Sequence, residues 1–280
     1  MQKKILEENM REGAFAKHLS SNIWLEEPSE DNPYLAKSCH CHGYDLMELM
    51  DKCSYEEMLL LMFQGELPTP ERKQLLKSLM VALANPGPRH PATRSAMCAG
   101  VGKTDPKHIL PIALNIMGGD HLGAGEVAKS MQFMHGMPKQ DMQNLVKNLI
   151  SENPRVNQEE DWVIAAGFGS HFGGIDPMAQ AIAAKLAGLP GAGKYLRWGM
   201  EFSDVLLSHG LGWRIPGVAA AAFLDMKISG LKPWLGIGLF QLISAPGLLA
   251  HGLEYHLKPL SAYPFPTDDN YIIESHAKKN

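Results

Sequence analysis

Apolar residues recur along this chain mostly at three- and four-residue intervals, the spacing that lines one face of a helix. YEEMLLLMFQG (55–65) shows such a face and stops at Gly65. A second helix follows at ERKQLLKSLMVALA, with Thr69 as N-cap and Pro70 in the first turn, and runs to the breaker Asn85-Pro86-Gly87-Pro88. ATRSAMCAG and HILPIALNIMG are divided by GKTDPK; EVAKSMQFMHG and KQDMQNLVKNLISEN are joined by a Met-Pro turn. MAQAIAAKLAGL, KYLRWGMEFSDVLLSHG and VAAAAFLDM come next. LFQLIS and GLLAHGLEYHL then read as two helices meeting at a Gly/Pro break, before a Pro-rich tail. Val and Ile rarely alternate with polar residues, so no strand pair is expected. The pattern predicts an all-α bundle in one domain spanning 1–280, with a small helical lobe around 160–230.

Composition narrows the class. With 280 residues, 45% of them hydrophobic and 20% charged, the chain can bury a large core. A net charge of −4 and dispersed basic residues argue against nucleic acid as a partner. The longest apolar stretch, Leu235 to Leu253, carries Gln241, Ser244, Pro246, His251 and four glycines, which reads as buried helix rather than a membrane span. MQKKILEENMREGAFAKHL has acidic residues among its apolar ones, unlike a signal or transit peptide. Four cysteines are too few for a disulfide framework, which fits a cytoplasmic location. Sixteen methionines at helical spacing read as core filler.

Two stretches imitate known chemistry. Cys39-His40-Cys41-His42 offers adjacent ligands that point apart, with no matching pair downstream, so no metal is expected. GLPGAGKY (188–195) resembles a phosphate loop, but Tyr195 stands where a magnesium-binding hydroxyl belongs and a helix precedes it, not a strand.

Four further blocks, in order over about residues 40–272, resemble the citrate synthase superfamily. They are GYDLMELMDKCSYEEMLLLMFQGELPTPE (43–71), GGDHLGAGEV (118–127), GFGSHFGGIDP (167–177), and the pair IPGVAAAAFLDM (215–226) and APGLLAHGLEYHLKPLSAYPFPTDDNYI (245–272). The last block is most similar to citryl-CoA lyases and to the lyase module of ATP-citrate lyase. The resemblance implies a homodimeric C–C lyase or acyltransferase that makes or breaks a bond in a CoA thioester, with no tightly bound cofactor and no membrane partner. A carboxylate base would take the α proton, histidines would polarise the two carbonyls, and arginines would hold the carboxylates of the acid.

Carried over by position, His121 falls on the thioester-side histidine. Ser170 falls on the loop histidine if no gap is opened, with His171 one place later; either is a candidate. His90 or Arg94 lies near an earlier substrate-binding histidine, and His251 keeps an "AH-x-x-E" pattern with Glu254. Ser244 occupies the place of a substrate-binding arginine, and Pro216 that of the carboxylate base. Catalytic candidates are therefore His121, His171 and Ser170, and substrate-binding candidates are His90, Arg94, Ser244 and His251. The substitutions imply an altered acid substrate or step. The rival readings are a non-catalytic relative that binds CoA or an acid, and a lyase whose base is Glu126 or Asp120 instead.

Overall fold

The computed structural model of the protein describes residues 21–136, 141–157, 160–228 and 233–260. Its helices follow the caps the sequence supplies. After α1 (Leu46–Lys52), helix α2 (Tyr55–Gln64) starts in a Ser54/Glu57 capping box and ends at Gly65, whose φ of 76° is the left-handed conformation glycine tolerates. Helix α3 (Pro70–Leu83) has Thr69 as N-cap, its hydroxyl accepting from the Arg72 N–H. Helices α4 (Pro91–Val101), α5 (Pro106–Met117), α6 (Ala124–His135) and α7 (Met142–Glu152) follow. The Met-Pro turn between the last two and both chain termini lie outside the described residues. Then come α8 (Pro177–Ala187), α9 (Lys194–Leu207), α10 (Ile215–Asp225) and α11 (Pro233–Leu257).

Two expectations need correction. Strand pairs do exist. β1 (Trp24–Pro28), β2 (Ala36–Cys41) and β3 (Tyr44–Asp45) form an antiparallel sheet, and β4 (Val163–Ala165), β5 (Phe168–Gly169) and β6 (Gly212–Trp213) form another. These strands are too short or too polar to show an alternating apolar pattern. Cys39, His40 and Cys41 of the Cys-His-Cys-His stretch belong to β2, and their side chains alternate across the sheet.

The second correction concerns the C-terminal helices, which are one. Helix α11 runs through Pro246 unbroken. Proline lacks an N–H, and the next residue's N–H leaves the ladder as well: Gly247 donates to the Ala84 carbonyl at the end of α3, 2.8 Å away. A neighbouring helix end thus absorbs the defect. By length and composition α11 could cross a membrane, yet it packs along α3, α4, α5 and α6, with Leu239, Phe240, Ile243 and Leu248 in the core.

Helices α4, α5, α6 and α11 make the main stack, and α10, wholly apolar in its middle, is buried between α6 and α9. Beside it an aromatic cluster of Phe133, Phe168, Trp198, Phe202 and Trp213 closes the second sheet. Phe168 lies 4.5 Å from Trp213 and 4.8 Å from Phe202, centroid to centroid. That cluster holds β5 and β6 in place, and both strands lead directly into the site.

Candidate functional site

The loop 167–177 and the start of α10 meet because two glycines let their backbones touch. Gly167 has φ 84°, and a Cβ there would collide with Gly217; one on Gly217 would collide with the Gly167 backbone. Across this contact the Arg214 N–H donates to the Gly167 carbonyl at 2.9 Å. Arg214, at the N-cap of α10, is thereby turned inward and has no solvent exposure on its side chain.

Its guanidinium is held on three sides. Nε donates to Glu126 Oε1 at 2.7 Å and Nη2 to Glu126 Oε2 at 3.3 Å. Nη1 donates to Asp161 Oδ2 at 2.8 Å and to the Ser170 carbonyl at 2.6 Å. Burial by itself would ease a proton off arginine, but the two carboxylates reverse that and raise its pKa. Burial likewise pushes the Asp161 carboxyl up, but hydrogen bonds from Arg214, the Phe172 N–H and His171, with the Arg214 charge, hold it below the ordinary carboxylate range.

Asp161 is the hub. Its Oδ1 accepts from the Phe172 N–H at 2.6 Å, and its Oδ2 lies 3.4 Å from His171 Nδ1 and 3.9 Å from His121 Nε2. The cluster thus joins the 118–127 turn, the 167–177 loop and α10, three of the blocks read from sequence.

Next to it lies a cavity of about 750 Å³ between α3, α4, α8, α10 and α11. Its lining includes Arg89, His90, His171, Phe172, Asp176 and Ser244. His90 is the N-cap of α4. Its Nδ1 accepts from the Ala92 N–H at 3.1 Å, which puts the ring proton on Nε2, 3.1 Å from the Leu122 carbonyl. Burial depresses its pKa; the bond to Leu122 works the other way, while His121 and His171 add to the depression. The ring is therefore neutral and joins α4 to the 118–127 turn. Leu122 sits at φ 58°, and its N–H donates to Glu126 Oε2 at 2.8 Å, so this turn is locked from both ends.

The remaining candidates are placed as follows. His171 lines the cavity. Ser170 does not: it is buried, and its hydroxyl accepts from the Trp162 N–H at 2.7 Å, so its oxygen serves the strand pairing. His121 is 59% exposed at the edge of the Asp161 cluster, outside the cavity lining. Arg94 is exposed on α4, away from the cavity. His251 lies 3.2 Å from Asn85 Oδ1 through Nε2 and 4.0 Å from Glu254, bracing α11 against the segment after α3. Ser244 lines the cavity, buried, and its hydroxyl has no hydrogen-bond partner among the described residues. Pro216 is buried in the first turn of α10.

Both alternative bases already have partners. Glu126 spends both oxygens on Arg214 and Leu122, and Asp120 is an exposed partner of Lys129 at 2.9 Å. Asp161 and Arg214 were missed in sequence, since neither falls on a position where the resemblance expects a charge. The phosphate-loop imitation is already occupied. Asp225 accepts from the N–H groups of Gly193, Tyr195 and Leu196 at 2.8–3.0 Å, filling the N-terminus of α9 where a phosphate would sit.

This helical architecture, with its cavity under the ends of α4 and α10, is the citrate synthase fold. Citryl-CoA lyase from Hydrogenobacter thermophilus superposes with a TM-score of 0.69 at 19% identity, covering 92% of this chain and 95% of that one. The ATP citrate lyase of Methanosaeta concilii, a D541A mutant solved with (3S)-citryl-CoA, gives 0.71 at 16% identity. The match covers 94% of this chain but 43% of that longer one. Citrate synthase from Thermotoga maritima gives 0.53 at 16% identity, covering 92% and 96%. No family model matches the sequence, and no curated protein does.

Proposed function

We propose that the chain is a citrate synthase-like enzyme that makes or cleaves a carbon–carbon bond in a CoA thioester, with an acid partner less charged than citrate. The observation that carries this reading is the cavity itself. His90 and His171, which flank two of the motif turns, line one chamber together with the unpartnered Ser244 hydroxyl. A buried polar group without a partner is costly to keep, and a ligand carbonyl or hydroxyl at Ser244 would satisfy it. Structures with the same fold hold (3S)-citryl-CoA, or citrate and coenzyme A.

The acid is inferred from charge. Arg89 is the one lysine or arginine among the lining residues described, and Arg214, the nearest buried guanidinium, is already committed to Glu126 and Asp161. A tricarboxylate would enter this chamber with too few cations to offset it. A homodimer belongs to this reading through the sequence resemblance alone.

Isothermal titration with CoA and acetyl-CoA is the direct test. Micromolar to submillimolar binding is expected; no heat at millimolar ligand would sink the proposal. The second reading, a non-catalytic binding protein, draws on Pro216, which puts no ionisable group where the resemblance expects a base. It is favoured if CoA binds but the α protons of acetyl-CoA do not exchange in heavy water.

A further inference from the structure

Pro216 leaves the site without its expected base, yet a proton acceptor stands nearby in an unexpected place. We propose that His171 is that acceptor, with Asp161 as the residue that positions it; this deepens the CoA thioester reading above and rests on it.

The geometry singles out His171. Its Nδ1 faces Asp161 Oδ2 at 3.4 Å, while Nε2 has no hydrogen-bond partner among the described residues and the ring lines the cavity. A carboxylate at Nδ1 selects the tautomer with hydrogen on Nδ1 and leaves the Nε2 lone pair bare toward the ligand. The ring is also pinned through its backbone. The His171 N–H donates to the Gly174 carbonyl at 2.6 Å, and the Phe172 N–H donates to the other oxygen of Asp161, an arrangement that needs the φ of 48° at Phe172.

Charge favours the same step. Around His171 stand Asp161, Glu126, Arg214, His90 and His121. His90 is neutral, and one guanidinium faces two carboxylates, so the cluster carries a surplus negative charge. Arg214 bonds Glu126 twice and Asp161 once, so the single guanidinium is shared between two carboxylates and the Asp161 oxygen that faces His171 can also offset a new imidazolium. Pro216 contributes no charge of its own.

The step balances simply. The Nε2 lone pair of His171 takes the α hydrogen of the thioester as a proton. The C–H electron pair becomes the enolate double bond, and the carbonyl pair moves to the thioester oxygen. His171 becomes an imidazolium and Asp161 stays a carboxylate. In the condensing direction the enolate carbon then attacks the electrophilic carbonyl, whose π pair moves to oxygen as an alkoxide that takes a proton from water. In the cleaving direction the hydroxyl proton returns to water, the carbonyl re-forms as the C–C pair becomes the enolate double bond, and the imidazolium returns its proton to the enolate carbon.

Asp176 is the competing carboxylate, since it also lines the cavity. Its Oδ1 accepts from the Met178 and Ala179 N–H groups as the N-cap of α8, which directs it toward the helix.

Two measurements test the assignment. Long-range nitrogen–proton NMR of histidine-labelled protein, with His171→Asn to assign the signal, reads the tautomer without any ligand. Hydrogen on Nδ1 and a bare Nε2 are expected, and hydrogen on Nε2 in the unmodified chain overturns the pairing with Asp161. Acetyl-CoA exchange in heavy water reads the chemistry. His171→Asn is expected to slow exchange by about 100-fold or more while CoA affinity holds. Asp161→Asn is expected to slow it at least about 10-fold and to move the hydrogen to Nε2, because an amide can donate to Nδ1. Exchange that survives His171→Asn, or is lost only in Asp176→Asn, overturns the proposal, as does bound acetyl-CoA that never exchanges. Absence of CoA binding would refute the thioester reading instead, and the tautomer still decides whether Asp161 orients His171.

Discussion

Replacing Arg214 with methionine keeps a long, flexible side chain but removes the charge and every donor. The structure sets the size of the effect. Four contacts between 2.6 and 3.3 Å disappear, and Glu126 and Asp161 are left facing a neutral chain in a site that solvent barely reaches. Breaking a buried pair in this way costs about 3–5 kcal/mol. For a chain of this size each kcal/mol lowers Tm by roughly 2–4 °C, so a fall of roughly 6–20 °C is expected. Lysine at the same position would keep the charge but not the fork that reaches Glu126 and Asp161 together, so it should recover only part of the loss. Glu126→Gln added to Arg214→Met should cost less than the sum of the two single changes, with a coupling of about 0.5–3 kcal/mol. Thermal and urea unfolding followed by circular dichroism give these values. If Arg214→Met stays within about 1 kcal/mol of the unmodified protein, the cluster is not what holds the loop against α10.

Two other outcomes follow from the same geometry. Asp225→Ala removes a carboxylate that caps three N–H groups of α9 and is expected to cost about 1–2 kcal/mol in urea unfolding, with no change in CoA binding. Acidification should weaken the fold in two stages. His90 and Asp161 both have folded-state pKa values below their unfolded ones, so each stabilises above its unfolded pKa, and that contribution is lost as pH falls toward the folded value. His90 gives a decline beginning near pH 6.5 and Asp161 a second below about pH 4, and His90→Gln should remove the first stage alone. A urea midpoint that holds steady from pH 7 down to pH 5 would contradict the neutral, buried His90.

Helix spacing and caps were legible from local sequence because each is decided within a few residues. The Gly65 stop, Thr69 with Pro70 and the Asn85–Pro88 breaker all operate inside one helical turn of the boundary they make. The order of the sequence blocks was legible too, and the citrate synthase fold found here is the one it implied. Strands of two or three residues carry no such local pattern. β5 and β6 exist because Phe168 and Trp213 stack in an aromatic cluster assembled from distant helices. Nor could the Gly/Pro break in α11 be read as harmless, since the Ala84 carbonyl that receives the Gly247 N–H is more than 160 residues away.

The site divides along the same line. Residue identity alone determined that position 216 has no ionisable group and position 244 no guanidinium, because those are properties of side chains wherever they sit. Which histidine faces the cavity was a matter for the tertiary structure. Ser170 and His171 are neighbours in a glycine-rich loop, and only the pairing of β5 with the Trp162 backbone turns the serine inward and leaves the histidine on the cavity wall. The Asp161–Arg214–Glu126 cluster likewise needed the fold. Its members are separated by 35 and 53 residues along the chain, and a buried charge finds its partner through three-dimensional packing and the cost of desolvation, which no short stretch of sequence encodes.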